Sequence, residues 1–292
     1  MQNRKQQVII AALNLFQKKG YAATSIQDII EASNISKGTF YNYFSSKNEF
    51  SKALLEYADQ EETWRRKELL IGKDKQNKEI FAKQILLRIE ISREFNLLSI
   101  FEAIFHSEEV ELKEYVERRF LVYLTWLRER FIDIYGKEAE DYANDGAIIF
   151  YSIIQNMARL SKAISTEKVD FPKLISFALR RMDTLFADMI KEKDHFLPTC
   201  AFAKAHVKTV PTKEEIISQI QQLINKPKNE LQEQRNEILS FLITELSTEK
   251  PRFILIESTT KTLRTIAEKT TLQYDMRQLI TNIFAYIEDR KN

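Results

Sequence analysis

Apolar residues return at every third or fourth position through most of this 292-residue chain, and only five Gly and five Pro interrupt them. That period matches the 3.6 residues of a helical turn and not the two of a strand. So few Gly and Pro leave a turn-rich β architecture without its turn chemistry. Long stretches of Leu, Ile, Glu, Lys, Gln and Arg are good helix formers. The chain is expected to be all-α.

From Arg4 to Lys19 the apolar positions Val8, Ile9, Ala12, Leu13 and Phe16 lie on one helical face, and Gly20 sits where a left-handed residue closes a helix. Thr24 and Gln27 have the spacing of a capping box for a second helix, from Ser25 to about Ala32, burying Ile26, Ile29 and Ile30. Asn34 suits the tight turn that follows, with Ile35 plugging the core beneath it. Ser36 caps a third, very short helix whose Phe40 and Phe44 turn inward. Its other face carries Lys37, Thr39, Tyr41, Asn42 and Tyr43, residue types suited to phosphates and base edges. Ser46 and Glu49 form a further capping pattern, opening a long helix towards Leu70. Two short helices joined by a tight turn and followed by a long one make a helix-turn-helix unit. Charge agrees: residues 1–55 hold seven Lys/Arg against three Asp/Glu, whereas 56–194 hold 23 against 27 and 195–292 hold 14 against 12. The small head is the basic part, as a polyanion partner requires.

The run Thr24-Ser25-Ile26-Gln27-Asp28-Ile29, then Ser36-Lys37-Gly38-Thr39-Phe40-Tyr41-Asn42-Tyr43-Phe44-Ser45-Ser46-Lys47, resembles the signature of TetR-family transcriptional regulators over about residues 4–57. Ile30 stands where that family often has Ala, and Asn34 where it usually has Gly. The resemblance implies a close approach to DNA at Gly38 and base-edge or neighbouring phosphate contacts from Lys37, Thr39 and Asn42. It implies backbone clamps at Tyr41, Tyr43 and Lys47, with Ser36 heading the helix. Thr24, Ser25 and Gln27 would meet phosphates or one base. It further implies a homodimer on a palindromic double-stranded operator, and a small hydrophobic or aromatic effector bound in the helical body.

Beyond the head, helices are expected over 78–92, 94–106, 110–135, 139–163, 172–193, 212–225 and 228–247, with one or two more between 252 and 290. Thr212 and Glu215 form another capping box, and Pro172 suits a first turn. The expected organisation is a DNA-binding domain (1–50), a ligand-binding and dimerisation domain (51–194) and a helical extension (195–292). Helices 139–163 and 172–193 are the candidate dimer interface. The aromatic-rich middle reads first as core or dimer interface. The resemblance implies that part of it lines a ligand cavity, with Phe101, Phe105, Tyr123, Trp126 and Tyr151 as candidate walls and Glu102, His106 and Gln155 as polar partners. Gln155 and Asn156 interrupt an apolar run, where burial would oblige them to find partners.

Little supports catalysis. The chain lacks a phosphate-binding Gly loop, a Gly-x-Ser-x-Gly elbow and a His-Glu-x-x-His pair, and holds three His. His195, Cys200 and His206 fit no standard metal spacing and lack a fourth ligand, so neither metal nor cofactor is expected. A single Cys excludes an intramolecular disulfide and suits a reducing compartment. The N-terminal MQNRKQQVIIAALNLF has no continuous apolar signal core, and the run from Ala147 to Ala158 is too short to span a bilayer. A cytoplasmic, membrane-free regulator is the expectation, most simply a repressor. The alternative is a DNA-binding adaptor whose extension grips a protein partner and senses no small molecule. A closed apolar cavity inside residues 80–190 would favour the sensor, and a solid core there the adaptor.

Overall fold

The computed structural model describes residues 2–21, 23–106, 109–164, 167–202, 211–226, 232–267 and 272–291. Among them are thirteen α-helices and one 3-10 turn, and no strand. Arg4–Val207 forms one compact unit and Lys208–Asn292 another.

The first unit begins with α1 (Gln2–Lys19), α2 (Ile26–Ala32), α3 (Lys37–Tyr43) and α4 (Lys47–Leu70). Gly20 closes α1 at φ +82°, and Asn34 makes the α2–α3 turn at φ +51°, the left-handed geometry those residues tolerate. The cap of α2 differs from expectation. Ser25, not Thr24, is the N-cap, and its capping box closes on Asp28 instead of Gln27. Thr24 is 2% exposed and its hydroxyl donates to the Gly20 carbonyl at 2.7 Å, tying the α1–α2 loop together. Ser46 caps α4 as expected, but Glu49 reaches the backbone N–H of Ser45.

Helices α5 (Lys78–Glu94), α6 (Leu97–Phe105), α7 (Val110–Tyr135), α8 (Ala143–Ile164) and α9 (Phe171–Glu192) complete this unit. Between α7 and α8 the chain makes a 3-10 turn, Lys137–Ala139, so α8 starts four residues later than its apolar pattern. Two cores form. One joins the head to α5, α6 and the start of α7 through Phe16, Phe40, Phe44, Phe50, Ile91, Phe95 and Ile100. The other packs α5, α7, α8 and α9 around Phe81, Phe131, Phe150 and Phe186. Residues 195–202 fold back on the start of α8. Asp145 accepts from the backbone N–H groups of Phe196 and Leu197, and Asn144 donates to the carbonyls of Pro198 and Thr199.

The second unit comprises α10 (Lys213–Ile224), α11 (Gln232–Ser247), α12 (Phe253–Ala267) and α13 (Gln273–Lys291). Each packs on the next and α13 returns to α10, closing a four-helix ring around Ile220, Leu242, Ile256, Leu263, Met276 and Ile283. The Thr212–Glu215 capping box starts α10. Glu245 clamps the α11–α12 connection, accepting from the backbone N–H and the guanidinium of Arg252.

Two expected outcomes follow from this packing. A Cβ at Gly146 would overlap the ring of Phe186, so Gly146→Ala should destabilise the first unit by about 1–3 kcal/mol, read as a lower urea midpoint. The Arg252 side chain and backbone hold the Glu245 carboxyl at about 2, below its ordinary 4.5. A depressed carboxylate contributes stability above its unfolded value and loses it as pH falls through the folded one. Protection of the α11–α12 amides against hydrogen exchange should therefore fall between about pH 4.5 and 2, and Glu245→Gln should remove most of that dependence.

Candidate nucleic-acid interface and interior cavity

Seven residues of helix cannot persist alone, and α3 is held by what it buries. Phe40 and Phe44 are both fully buried. Their rings lie 5.3 Å apart, and that of Phe44 meets Phe50 edge-on at 5.0 Å. Ser36 caps the helix by accepting from the Thr39 N–H at 3.0 Å, and the two hydroxyls bond each other at 2.8 Å. This anchoring turns Lys37, Gly38, Tyr41 and Asn42 to solvent, while Thr39 and Tyr43 are half-buried. Tyr43 packs against the head's core. A Cβ at Gly38 would meet only the Ser36 hydroxyl, at 3.8 Å. The protein's own packing therefore leaves room for a side chain there.

The start of α2 lies in the same head. Gln27 is exposed and bonds Glu31 at 2.8 Å. The Ser25 hydroxyl is engaged on both sides, donating to Asp28 Oδ2 and accepting from the Asp28 N–H. Lys19 pairs with Asp28 at 2.7 Å and, together with Ser25, holds its carboxyl well below the usual range. Lys47 is exposed, its ammonium 5.2 Å from the Tyr21 ring centroid. Of the eleven residues expected at a DNA surface, Thr24 is withdrawn into the head, and its hydroxyl cannot face a phosphate while it serves Gly20. The others lie at or beside the outer face of α2, α3 and the start of α4.

A half-open cavity of about 310 Å³ lies between α4, α5 and α7. Its walls are Asp59, Glu62, Thr63 and Arg66 from α4, Arg88 from α5, and Tyr115, Arg118, Arg119, Val122 and Tyr123 from α7. Each helix contributes one face: 59, 62, 63 and 66 along α4, and 115, 118, 119, 122 and 123 along α7, the i, i+3/i+4, i+7 spacing that points side chains one way. Arg88 Nη1 donates to Glu62 Oε2 at 2.6 Å, Arg66 lies 3.3 Å from Glu62 Oε1, and Arg119 donates to Asp59. Aromatic rings back these guanidiniums: Tyr123 under Arg88 at 3.7 Å, Trp126 under Arg66 at 4.1 Å and Phe101 under Arg119 at 5.5 Å. Burial opposes the Glu62 charge, but Arg66 and Arg88 outweigh it and its carboxyl lies below the ordinary value. Burial pushes the Asp59 carboxyl up despite Arg119. It also pushes the Tyr123 hydroxyl up to about 12, so that residue stays neutral.

The expected pocket residues are placed differently. Of the eight, Tyr123 lines this cavity. Trp126 and Phe101 stand behind the arginines, and Tyr151 meets the Tyr123 ring at 6.1 Å. Phe105 is 62% exposed, and Glu102, His106 and Gln155 are exposed too. His106 Nδ1 bonds the Glu102 carbonyl at 2.7 Å. Gln155 and Asn156 face outwards, so the apolar run did not bury them. The charged lining escaped a search for aromatic stripes. The available signal was the spacing of Asp59, Glu62 and Arg66, which continues the buried face begun by Leu54, Leu55 and Ala58.

No group of three or more potential metal ligands occurs among the described residues. Cys200 is exposed, His195 meets Tyr142 edge-on, and His206 lies outside the described residues. No described helix is long and apolar enough to cross a membrane.

Residues 8–54 match the sequence profile of bacterial regulatory proteins, tetR family. The uncharacterized HTH-type transcriptional regulator YerO of Bacillus subtilis (strain 168) is 28% identical over 270 residues, 88% of each chain. YuxN, another uncharacterized HTH-type regulator of that strain, is 25% identical over 96% of this chain and 97% of its own. That span reaches through the C-terminal helices. The HTH-type transcriptional repressor DhaR of Mycobacterium sp. (strain GP1) is 35% identical over 52 residues, 18% of this chain and 26% of its own. No solved structure matches the chain significantly. With the α2–α3 geometry and the profile match falling on the same residues, the N-terminal head is a tetR-type helix-turn-helix, and the chain as a whole is similar to HTH-type transcriptional regulators.

Proposed function

We propose that the chain is a ligand-responsive repressor that binds a palindromic operator as a homodimer and is released when a small molecule occupies the α4–α5–α7 cavity. One observation carries the link between cavity and head. Helix α5 brings Arg88 to the cavity and, two turns later, ends in a turn bonded to α1. There Asn96, at φ +49°, donates its side-chain N–H to the Phe16 carbonyl at 3.3 Å. A shift of α5 is therefore felt at the end of α1, and through the shared core at α3. The ligand moves the equilibrium only by its differential affinity for the two states. The cavity supports this reading by giving the body room for a small molecule. It is, however, half-open, rich in charged residues and partly walled by α4, unlike the closed apolar cavity inside residues 80–190 that would separate sensor from adaptor. The repressor sense draws on DhaR, whose name carries it, and a bacterial operator would place the protein in the cytoplasm.

On DNA, Lys37 and Asn42 would read base edges, Tyr41, Tyr43 and Lys47 would hold phosphates, and Gly38 would let the backbones approach. Ser25, Gln27, Ser36 and Thr39 would lie along the same surface. Two such heads fit successive major grooves when their recognition helices are about 34–36 Å apart. Selection from a random duplex pool should return an inverted repeat. A lone half-site would refute the dimeric reading. Lys37→Ala and Asn42→Ala should each cost about 1–3 kcal/mol of binding to the selected site without lowering thermal stability. Unchanged affinity would displace α3 as the reader.

The homodimer reading draws on α8. Ile149, Ile153, Met157, Leu160 and Ile164 follow one another at helical spacing along its outer side, and exposure rises from half-buried to 83% at Ile164. A second copy would cover that stripe. Leu160→Glu should convert the dimer to monomer in sedimentation experiments with helicity unchanged, because Leu160 is half exposed already.

A further inference from the structure

The packed arginines of the first unit differ in how far their donors are met. Arg130 is consumed by the fold: Nε donates to Gln84, Nη1 to Asp133 and Nη2 to the Lys75 carbonyl. Arg66 and Arg119 are not. Their side chains are 11% and 12% exposed, yet among the described residues Arg66 Nε and both Nε and Nη1 of Arg119 have no hydrogen-bond partner, while Arg66 Nη1 lies 3.3 Å from Glu62 Oε1. Leaving such donors unmet inside a protein is costly, and burial destabilises the Arg66 cation in particular.

The charges do not balance either. Arg66, Arg88 and Arg119 face two carboxylates, Asp59 and Glu62, while Arg118 at the rim pairs outwards with Glu114 at 3.6 Å. One positive charge remains in excess. A guanidinium is planar by delocalisation, the geometry for bidentate grip on a planar anion, and rings back those of Arg66, Arg88 and Arg119. Val122, Tyr115, Tyr123 and the arginine stems supply apolar wall around it.

Resting on the sensor reading above, we propose that the effector is a small amphipathic carboxylate, its head bonded by the free N–H groups of Arg66 and Arg119 and its apolar body against Tyr115, Val122 and Tyr123. This departs from the hydrophobic or aromatic effector expected from the sequence. A cationic ligand would add to an existing excess of positive charge, and a neutral one would leave that excess uncompensated.

The test holds the body constant and varies the head. Full-length protein is titrated with octanoate, 1-octanol and octylamine by calorimetry and thermal shift. Octanoate should bind and raise the melting temperature, and the other two should not. Arg66→Gln and Arg119→Gln should each weaken octanoate binding roughly tenfold or more. The comparison of head groups on the unaltered protein stands even if a variant fails to fold. Binding of octanol or octylamine at least as tight as octanoate overturns the proposal while leaving a sensor in place, and so does failure of all three. Octanoate binding that leaves operator affinity unchanged supports the carboxylate site and overturns the repressor-release reading instead.

Discussion

The structure depends on the burial of Phe40 and Phe44. A helix of seven residues pays the nucleation cost of helix formation and recovers little of it from its own hydrogen bonds. Burying each Phe contributes roughly 1.5–3 kcal/mol, and the rings meet Phe50 of α4 at centroid distances of 5.8 and 5.0 Å. Because α3 is fixed from beneath, its outer face is free to carry Lys37, Gly38, Tyr41 and Asn42 with no packing duty. The exposed face proposed to read DNA is thus an indirect product of the hydrophobic effect.

The same core extends from the head into α5, α6 and the beginning of α7. The head is therefore not a bead on a linker. Close-packed interiors pass displacement along instead of absorbing it, and Asn96 adds a directional bond at the joint. A strained non-Gly residue at such a joint is tolerated because packing on both sides determines it. Regulation by a body-bound ligand needs this continuity. The four-helix unit at the C-terminus has a closed core of its own, and the match to YuxN over nearly the whole of both chains makes it a shared part of that architecture.

Arg130 and the cavity arginines differ in how completely their donors are met. A buried ion is tolerable when every donor is matched, as with Arg130. Where donors remain free beside a cavity and the local charge is unbalanced, the fold bears a cost that binding could offset. Arg66 offsets the burial of Glu62 and lies over Trp126, yet its Nε remains without a partner among the described residues.

Much of this was legible in the sequence. Helical period, scarce Gly and Pro, and capping residues such as Ser36, Ser46 and Thr212 placed the helices within a few residues, because those signals are local. The outward and inward faces of α3 were legible for the same reason. Thr24 was misjudged because Ser25 satisfies the same capping chemistry one residue later, and only the loop geometry chose between them. Most of the expected pocket residues lie away from the cavity. Phe105 and Gln155 lie on helices that were correctly foreseen, but which side of each helix meets a neighbour is set by packing between distant segments. Asp59, Glu62, Arg66, Arg88 and Arg119 become one site only when α4, α5 and α7 come together, since their partnerships cross as many as 60 residues of chain. Sequence alone determined the helices and the reading head, through forces acting within a few residues. Tertiary structure decided which charges meet, because charge pairing depends on distance in space and not along the chain.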